Sequence, residues 1–303
     1  MRPVSMKRKL VEEELHEHVV RRGFLGVWHF ENMPRMVKFF KFFMRFSCTR
    51  QMGIRNAIDI KVENARIIHN DLPSGFDNTR ILLITDLHVD GIDILAEKII
   101  STIDKIDYDF CILGGDYSFG HKQQGESAHP KMRLLAAELT RKSRVFGVLG
   151  NHDMYSMAKV LGECGVEMLI NEGVRLEKHG DEIYLAGLDD CHYYGADDIT
   201  LADSQADREA FKIVVCHSPE RYKEAAEVGY RLYLAGHTHG GQICLPGGLA
   251  VVTNATVPRE MLKGKWRCQK MIGYTSRGVG SSGIAVRFSC PPEITLITLR
   301  GRR

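Results

Sequence analysis

The chain has 303 residues, 44% of them apolar and 26% charged, with a formal net charge of only +3. That balance excludes a disordered polyelectrolyte and supplies enough apolar surface for one large domain with an extension. Eight scattered cysteines with no Cys-x-x-Cys pair argue against a disulfide framework and suit the reduced thiols of a cytosolic protein.

Charge is uneven along the chain. Residues 1–56 carry twelve Lys/Arg against five Asp/Glu, and the remainder carries 29 against 33. A basic arm on a mildly acidic body suggests an anionic partner such as a membrane surface or a nucleic acid; the alternative is a solvated or docked arm. Residues 7–20 read as a charged, helix-permissive segment around Leu10, Val11, Leu15 and Val19. The Arg21-Arg22 pair is followed by His29, Glu31, Pro34 and Arg35, which interrupt the apolar run an export signal needs. Export is not expected, and no stretch reaches the roughly 18 apolar residues that span a bilayer.

A second helix is predicted from Pro34 to Phe46, with proline in the favourable first turn. At about 100° per residue, Arg35, Lys38, Lys41 and Arg45 share one arc, while Phe39, Phe40, Phe43, Met44 and Phe46 take the other side. Phenylalanines beside cations suit the headgroup–acyl boundary of an anionic membrane. Lys38, Phe39, Phe40, Lys41, Phe43, Arg45 and Phe46 are therefore the candidate membrane contacts. So many phenylalanines would be an unusual surface for tracking a nucleic acid backbone. The competing reading is a helix clamped onto its own body.

From residue 57 the pattern changes. Strands are predicted at 58–62, 80–85, 110–113, 145–149, 183–186, 211–216, 231–235, 249–253, 284–288 and 293–299. Helices are predicted at 92–103, 131–142, 154–163 and 219–226. Strands and helices first alternate, then strands dominate. The expected fold is α/β, a four-layer α/β/β/α sandwich over residues 57–303 with a basic helical extension at 1–56.

Five short clusters follow strand-like runs: Asp86-Leu87-His88, Gly115-Asp116, Gly150-Asn151-His152-Asp153, Cys216-His217-Ser218 and Gly236-His237-Thr238-His239. Loops beyond strand ends collect ligands in open α/β sheets. If the chain runs extended through 86–88, both side chains point one way, as chelation needs. Alone, Asp-x-His or Gly-Asp is an ordinary surface turn. Five clusters in order supply oxygen and nitrogen donors for two metals sharing a carboxylate.

This ordered set resembles the calcineurin-like metallophosphoesterase superfamily over about residues 79–299. The resemblance implies one metal on Asp86, His88 and His239, a second on Asn151, His217 and His237, and Asp116 bridging both. Mixed imidazole and oxygen donors suit Mn²⁺, Fe or Zn²⁺ better than Ca²⁺. Two such cations about 3.5–4 Å apart would acidify a shared water for in-line attack on phosphorus. His152 is the candidate acid for the leaving oxygen, with phosphate positioning as its alternative role. Protein-phosphatase members carry Gly-Asp-x-x-Asp-Arg-Gly, whereas this chain has Phe119 and Gly120 at the last Asp and Arg. A phosphoprotein substrate is disfavoured, and Asp153 becomes a candidate partner for His152 or substrate, or a mere loop cap.

Gly236 to Gln242 with Leu245-Pro246, then Ser276 to Gly280, and Arg287-Phe288 with Pro291 to Leu296, resemble a bacterial subgroup of membrane-associated phosphodiesterases. That subgroup includes enzymes hydrolysing the pyrophosphate of UDP-2,3-diacylglucosamine in lipid A synthesis. It implies a lipid-linked or nucleotide-sugar substrate and a peripheral place on the cytoplasmic face of the inner membrane. Arg277 and Arg287 are candidate substrate contacts or structural ion-pair partners. The run Asp189-Asp190-Cys191-His192-Tyr193-Tyr194 is taken as a rim loop without metal ligands. The alternatives are a soluble phosphodiesterase for nucleotides or other small esters, and a catalytically silent scaffold.

Overall fold

The computed structural model describes residues 5–14, 49–120, 126–251 and 253–302. The candidate membrane contacts at 38–46 lie outside the described residues. Helix α1 (Met6–Glu14) covers the first half of the predicted 7–20 segment. Helix α2 (Thr49–Ala57) was not predicted; glycine and polar residues interrupt its apolar stripe. It earns its place by docking, because Arg287 N donates to Gly53 O at 3.0 Å and Asn56 Nδ2 donates to Arg287 O at 3.0 Å.

Strand β1 (Lys61–His69) starts where the predicted 58–62 strand ends. Then follow β2 (Arg80–Ile84), α3 (Leu95–Ile103), β3 (Phe110–Leu113), α4 (His129–Lys142), β4 (Arg144–Gly147), α5 (Tyr155–Glu163) and the short β5 (Glu167–Met168). Next come β6 (Glu172–Lys178), β7 (Asp181–Gly187), α6 (Ile199–Asp203), β8 (Phe211–Val215), α7 (Tyr222–Val228) and β9 (Leu232–Ala235). A small hairpin of β10 (Cys244–Leu245) and β11 (Leu249–Ala250) precedes β12 (Gly264–Cys268), β13 (Met271–Thr275) and β14 (Glu293–Gly301).

Two six-stranded sheets result, ordered β1-β14-β2-β3-β4-β5 and β12-β13-β9-β8-β7-β6. Period-two alternation builds the layers. In β2, Ile81 and Leu83 enter the core between the sheets, while Leu82 and Ile84 face the core beneath α3, α4 and α5. In β8, Ile213 and Val215 meet the first sheet, and Val214 faces the outer cluster with α7's Ala225 and β12's Trp266. The four-layer α/β/β/α sandwich is thus observed. Among the described residues, no helix is long and apolar enough to cross a membrane.

The strand predicted at 284–288 is absent. Ile284 and Val286 pack beside Ile54 of α2, and only Phe288 forms an isolated bridge, to Ile243. Arg287 is buried there, because its guanidinium is enclosed by carbonyls. Strands β6, β12 and β13 escaped prediction: β6 and β12 are edge strands whose alternation is diluted by exposed charges such as Lys265.

Candidate metal centre

The parallel strands β2, β3, β4, β8 and β9 all end at the same rim of the sandwich. There the loops deliver Asp86 and His88, Asp116, Asn151 and His152, His217, and finally His237 and His239. The expectation that alternation in an extended chain aims Asp86 and His88 is corrected. Their φ angles are 52° and 40°, and Asp116, His237 and His239 are likewise left-handed at 56°, 68° and 49°. Each such residue costs roughly 1–3 kcal/mol, which persists only where the surroundings impose it. Asp86 N donates to Gly115 O at 2.9 Å, His88 N to Asp116 O at 3.0 Å, and Gly280 N to Asp86 O at 2.7 Å. Neighbouring loops therefore hold one another in the strained form.

Two glycines make the crowding possible. A Cβ on Gly150 would lie 2.1 Å from Asp116 Oδ1, and one on Gly236 would lie 2.3 Å from Asp86 Oδ2.

The donors fall into two buried groups that share Asp116. Asp86, His88, Asp116 and His239 offer one ligand atom each within 4.8 Å of one another, and so do Asp116, His217 and His237. Asp116 Oδ2 is 3.6 Å from His88 Nε2 and 3.2 Å from His217 Nε2. Asp86 Oδ1 is 3.4 Å from His239 Nε2, and Asn151 Oδ1 is 2.8 Å from His237 Nδ1. The far ring nitrogens are fixed by backbone carbonyls: His88 Nδ1 on Ser118 O at 2.6 Å, and His217 Nδ1 on Gly114 O at 2.8 Å. That arrangement leaves Nε2 of each ring turned to the carboxylates, as ligating histidines require.

The electrostatics call for positive charge between these groups. Burial pushes the Asp86 carboxyl up to about 6. Burial acts the same way on Asp116, but the imidazoles of His217, His152 and His88 outweigh it and hold that carboxyl well below its usual range. Burial depresses His217, yet Asp116 and Asp86 drive it well above the ordinary histidine value. His237, by contrast, is held well below it by burial and by His192 and His217. His217 Nε2 is buried with no aligned hydrogen-bond partner. An orphaned imidazole nitrogen facing two carboxylates is what a divalent cation would satisfy. The donor set fits divalent cations held by imidazole nitrogens and carboxylate oxygens.

Residues 79–241 match the sequence family described as calcineurin-like phosphoesterase. The chain belongs to that family. It is a metal-dependent phosphoesterase. It is 28% identical over 253 residues to an uncharacterised metallophosphoesterase, YkoQ, of Bacillus subtilis, covering 80% of this chain and 91% of that one. It is 26% identical over 233 residues to the phosphodiesterase YaeI of Escherichia coli, covering 73% and 82%. Among solved structures it is similar to the phosphopantetheinyl hydrolase of Mycobacterium tuberculosis, with a TM-score of 0.42, 12% identity, and coverage of 66% and 89%.

Other candidate residues of the phosphoesterase have partners the sequence could not show. His152 Nε2 lies 4.0 Å from Asp116 Oδ2 and 3.4 Å from Ser282 Oγ, and its ring stands 4.9 Å from that of His88. Asp153 has the contacts of the loop-cap alternative. Its two oxygens accept from the backbone N–H of Asp116, Tyr117 and Gly150, all at 2.8 Å. Arg277 has the contacts of the ion-pair alternative: its guanidinium pairs with Glu293 at 2.5 Å and with Glu63. Arg287 is fully buried and donates to the carbonyls of Arg277, Gly278 and Gly280 at 2.7, 3.0 and 2.5 Å. It stitches the 276–280 loop beneath His239, whose Nδ1 is 3.3 Å away.

Three neighbours were missed. Ser282 had no motif around it. His192, in the run set aside as a rim loop, packs against His237 with ring centroids 4.3 Å apart and planes tilted by 49°, and pairs through Nδ1 with Glu220 Oε2 at 2.9 Å. Arg8, between Lys7 and Lys9, is fully buried beside the centre; no local signal distinguishes it from those exposed cations.

Proposed function

We propose that the chain hydrolyses a phosphodiester or pyrophosphate at a dinuclear centre, and that its substrate is lipid-linked, with UDP-2,3-diacylglucosamine as the leading candidate. The observation that supports the chemistry is one buried carboxylate, Asp116, standing between two imidazole-rich groups. Asp86, His88 and His239 would hold one cation, Asn151, His217 and His237 the other, and Asp116 both. Bound cations of the Mn²⁺, Fe or Zn²⁺ kind supply Lewis acidity and an activated water nucleophile.

The chain's own residues do the rest. Gly114 O and Ser118 O fix the tautomers of His217 and His88. Thr85 Oγ1 donates to Asp86 Oδ2 at 2.6 Å, and His237 N donates to Asp86 Oδ1 at 2.9 Å, so that carboxylate is pre-aimed. His152, buried at the edge of the first group, would give a proton to the leaving oxygen. Water oxygen would bond to phosphorus as the P–O bond to the leaving group breaks: a diester's leaving oxygen would depart as an alcohol carrying the His152 proton, and an anhydride's as a phosphate.

The lipid reading is supported by the aromatic-basic run 38–46 and by the motifs that resemble the membrane-associated subgroup; the phosphodiesterase name of the Escherichia coli relative supports diester chemistry alone. It places the protein peripherally on the cytoplasmic face of the inner membrane. The deciding experiment is a metal-dependent hydrolysis screen over UDP-2,3-diacylglucosamine, aryl monoesters, aryl diesters and cyclic nucleotides. Turnover of the sugar-lipid donor above all others supports the reading, whereas preference for a cyclic nucleotide or an aryl monoester overturns it. Liposome sedimentation of the full chain against a triple variant, Lys38→Glu, Lys41→Glu and Arg45→Glu, tests the surface. Equal binding removes the membrane argument.

A further inference from the structure

The centre is braced from outside the family-matched segment. Arg8 of α1 is fully buried, although the same helix carries the exposed Met6 and Leu10. Its Nε donates to Asp189 Oδ1 at 2.9 Å and Oδ2 at 3.1 Å, its Nη2 lies 2.7 Å from Asp189 Oδ1, and its Nη1 donates to Asp153 O at 2.7 Å. Its guanidinium carbon sits 3.9 Å over the Tyr194 ring. One turn on, Glu12 Oε1 lies 3.2 Å from Arg8 Nη1 and accepts from Tyr155 N at 2.9 Å, at the start of α5.

These contacts join two loops that come from different sheets. Asp153 closes the loop after β4, which carries Asn151 and His152, and its carboxylate caps the Asp116 turn. Asp189 opens the loop after β7: its Oδ1 accepts from Asp190 N at 2.8 Å, and Asp190 in turn accepts from the N–H of His192, Tyr193 and Tyr194. His192 then packs its ring, tilted, against that of His237. Arg8 thus touches both halves of the site at one remove from the donors.

We propose that Arg8 is a positioning residue for phosphoester hydrolysis, a strut that sets the spacing between the Asn151–His152 loop and the His192–His237 side of the centre. A planar fork with several donors can hold a carboxylate and a carbonyl at once; a lysine ammonium at this depth cannot do so in the same geometry. Removing it frees the Asp153 carbonyl and leaves Asp189 buried without its cation, so the two loops drift apart while the sheets stay packed. Residues 6–14 then belong to the working catalytic unit.

The test uses the full chain, with Arg8→Ala, Arg8→Lys and a Lys7→Ala control. Three readouts are taken: thermal melting, Mn²⁺ affinity of the metal-stripped protein, and turnover of bis(p-nitrophenyl) phosphate. Both Arg8 variants should melt cooperatively, bind Mn²⁺ about 10-fold more weakly, and lose about 10- to 100-fold in kcat with KM within about threefold. Sub-denaturing guanidinium should restore part of the Arg8→Ala loss and leave the wild type unchanged. Unaltered Mn²⁺ affinity and kcat in a folded Arg8→Lys protein would overturn the proposal, as would losses that follow the melting curve and ignore guanidinium. If Arg8→Ala does not fold, Arg8→Lys carries the same decision. A wild type inactive on every ester would count against the phosphodiesterase reading, while Mn²⁺ affinity would still judge Arg8.

Discussion

His217 Nε2 lies 3.2 Å from Asp116 Oδ2, and neither group is exposed. The ring is held from behind by Gly114 O, and the carboxylate's other oxygen accepts from His152 N at 2.9 Å. Each partner is therefore locked by backbone before any ligand arrives. The distance suits two donors converging on one cation.

Asp116→Asn should keep the fold, since the amide oxygen can still accept from His152 N, but it removes the bridging negative charge. We expect bound metal to fall from two per chain towards one and kcat to drop about 100-fold or more. Elemental analysis of the purified variant alongside turnover checks this. Two full equivalents of metal with near-normal kcat would remove Asp116 from the bridge.

Stripping the centre with a chelator should abolish activity and lower Tm, because cations that bind only the folded state stabilise it by about 2.7 kcal/mol at 100 times Kd. Mn²⁺ or Zn²⁺ added back should raise Tm in a concentration-dependent way. A melting curve indifferent to both treatments would mean that the donors hold no ion.

His152→Ala should discriminate among leaving groups. An alkyl leaving oxygen needs a proton, whereas p-nitrophenolate departs without one. The variant is expected to lose about 100- to 10,000-fold on alkyl esters and far less on p-nitrophenyl esters. Equal losses on both would reassign His152 to phosphate positioning.

The His192–Glu220 pair gives a pH signature. Burial alone would lift the Glu220 carboxyl, but the His192 hydrogen bond and charge hold it down to about 2, from an ordinary 4.5. Its stabilising share is present above pH 4.5 and fades as pH falls towards 2. Burial depresses His192, and Glu220 outweighs it, so that imidazole titrates above its ordinary 6.5. Its share is present below 6.5 and is lost as pH rises through the raised value. Glu220→Gln should therefore cost most Tm between about pH 4.5 and 6.5. A Tm difference constant from pH 3 to 9 would contradict it.

Arg287→Met should destabilise by about 3 kcal/mol or more, since several buried carbonyls lose their donor together. Arg277→Lys, at a half-buried pair, should cost less. Neither should alter KM at temperatures where the variant stays folded. A selective rise in KM for Arg277→Lys would make that side chain a substrate contact.

The five clusters were legible because chemistry constrains residue type: metal donors come from a short menu, and their order along the chain survives without coordinates. Strand positions such as Ile81–Ile84 and Phe211–Val215 were legible because burial imposes apolar runs. Charge identity told nothing of burial. Asp153, Arg277 and Arg287 carry no sequence mark of the backbone and carboxylate groups that hold them, such as the Asp116 N–H on Asp153 and Glu63 on Arg277, and Arg8 was indistinguishable from Lys7 and Lys9.

What the amino-acid order determined by itself was the inventory: which donors exist, which strand each follows, and that the layers alternate. Tertiary structure alone decided the aim of those donors. Left-handed turns at Asp86, His88, Asp116, His237 and His239 are unfavourable locally and exist only because neighbouring loops hydrogen-bond them into place. No local propensity encodes such a conformation, since the free energy that holds it comes from contacts between segments far apart in the chain.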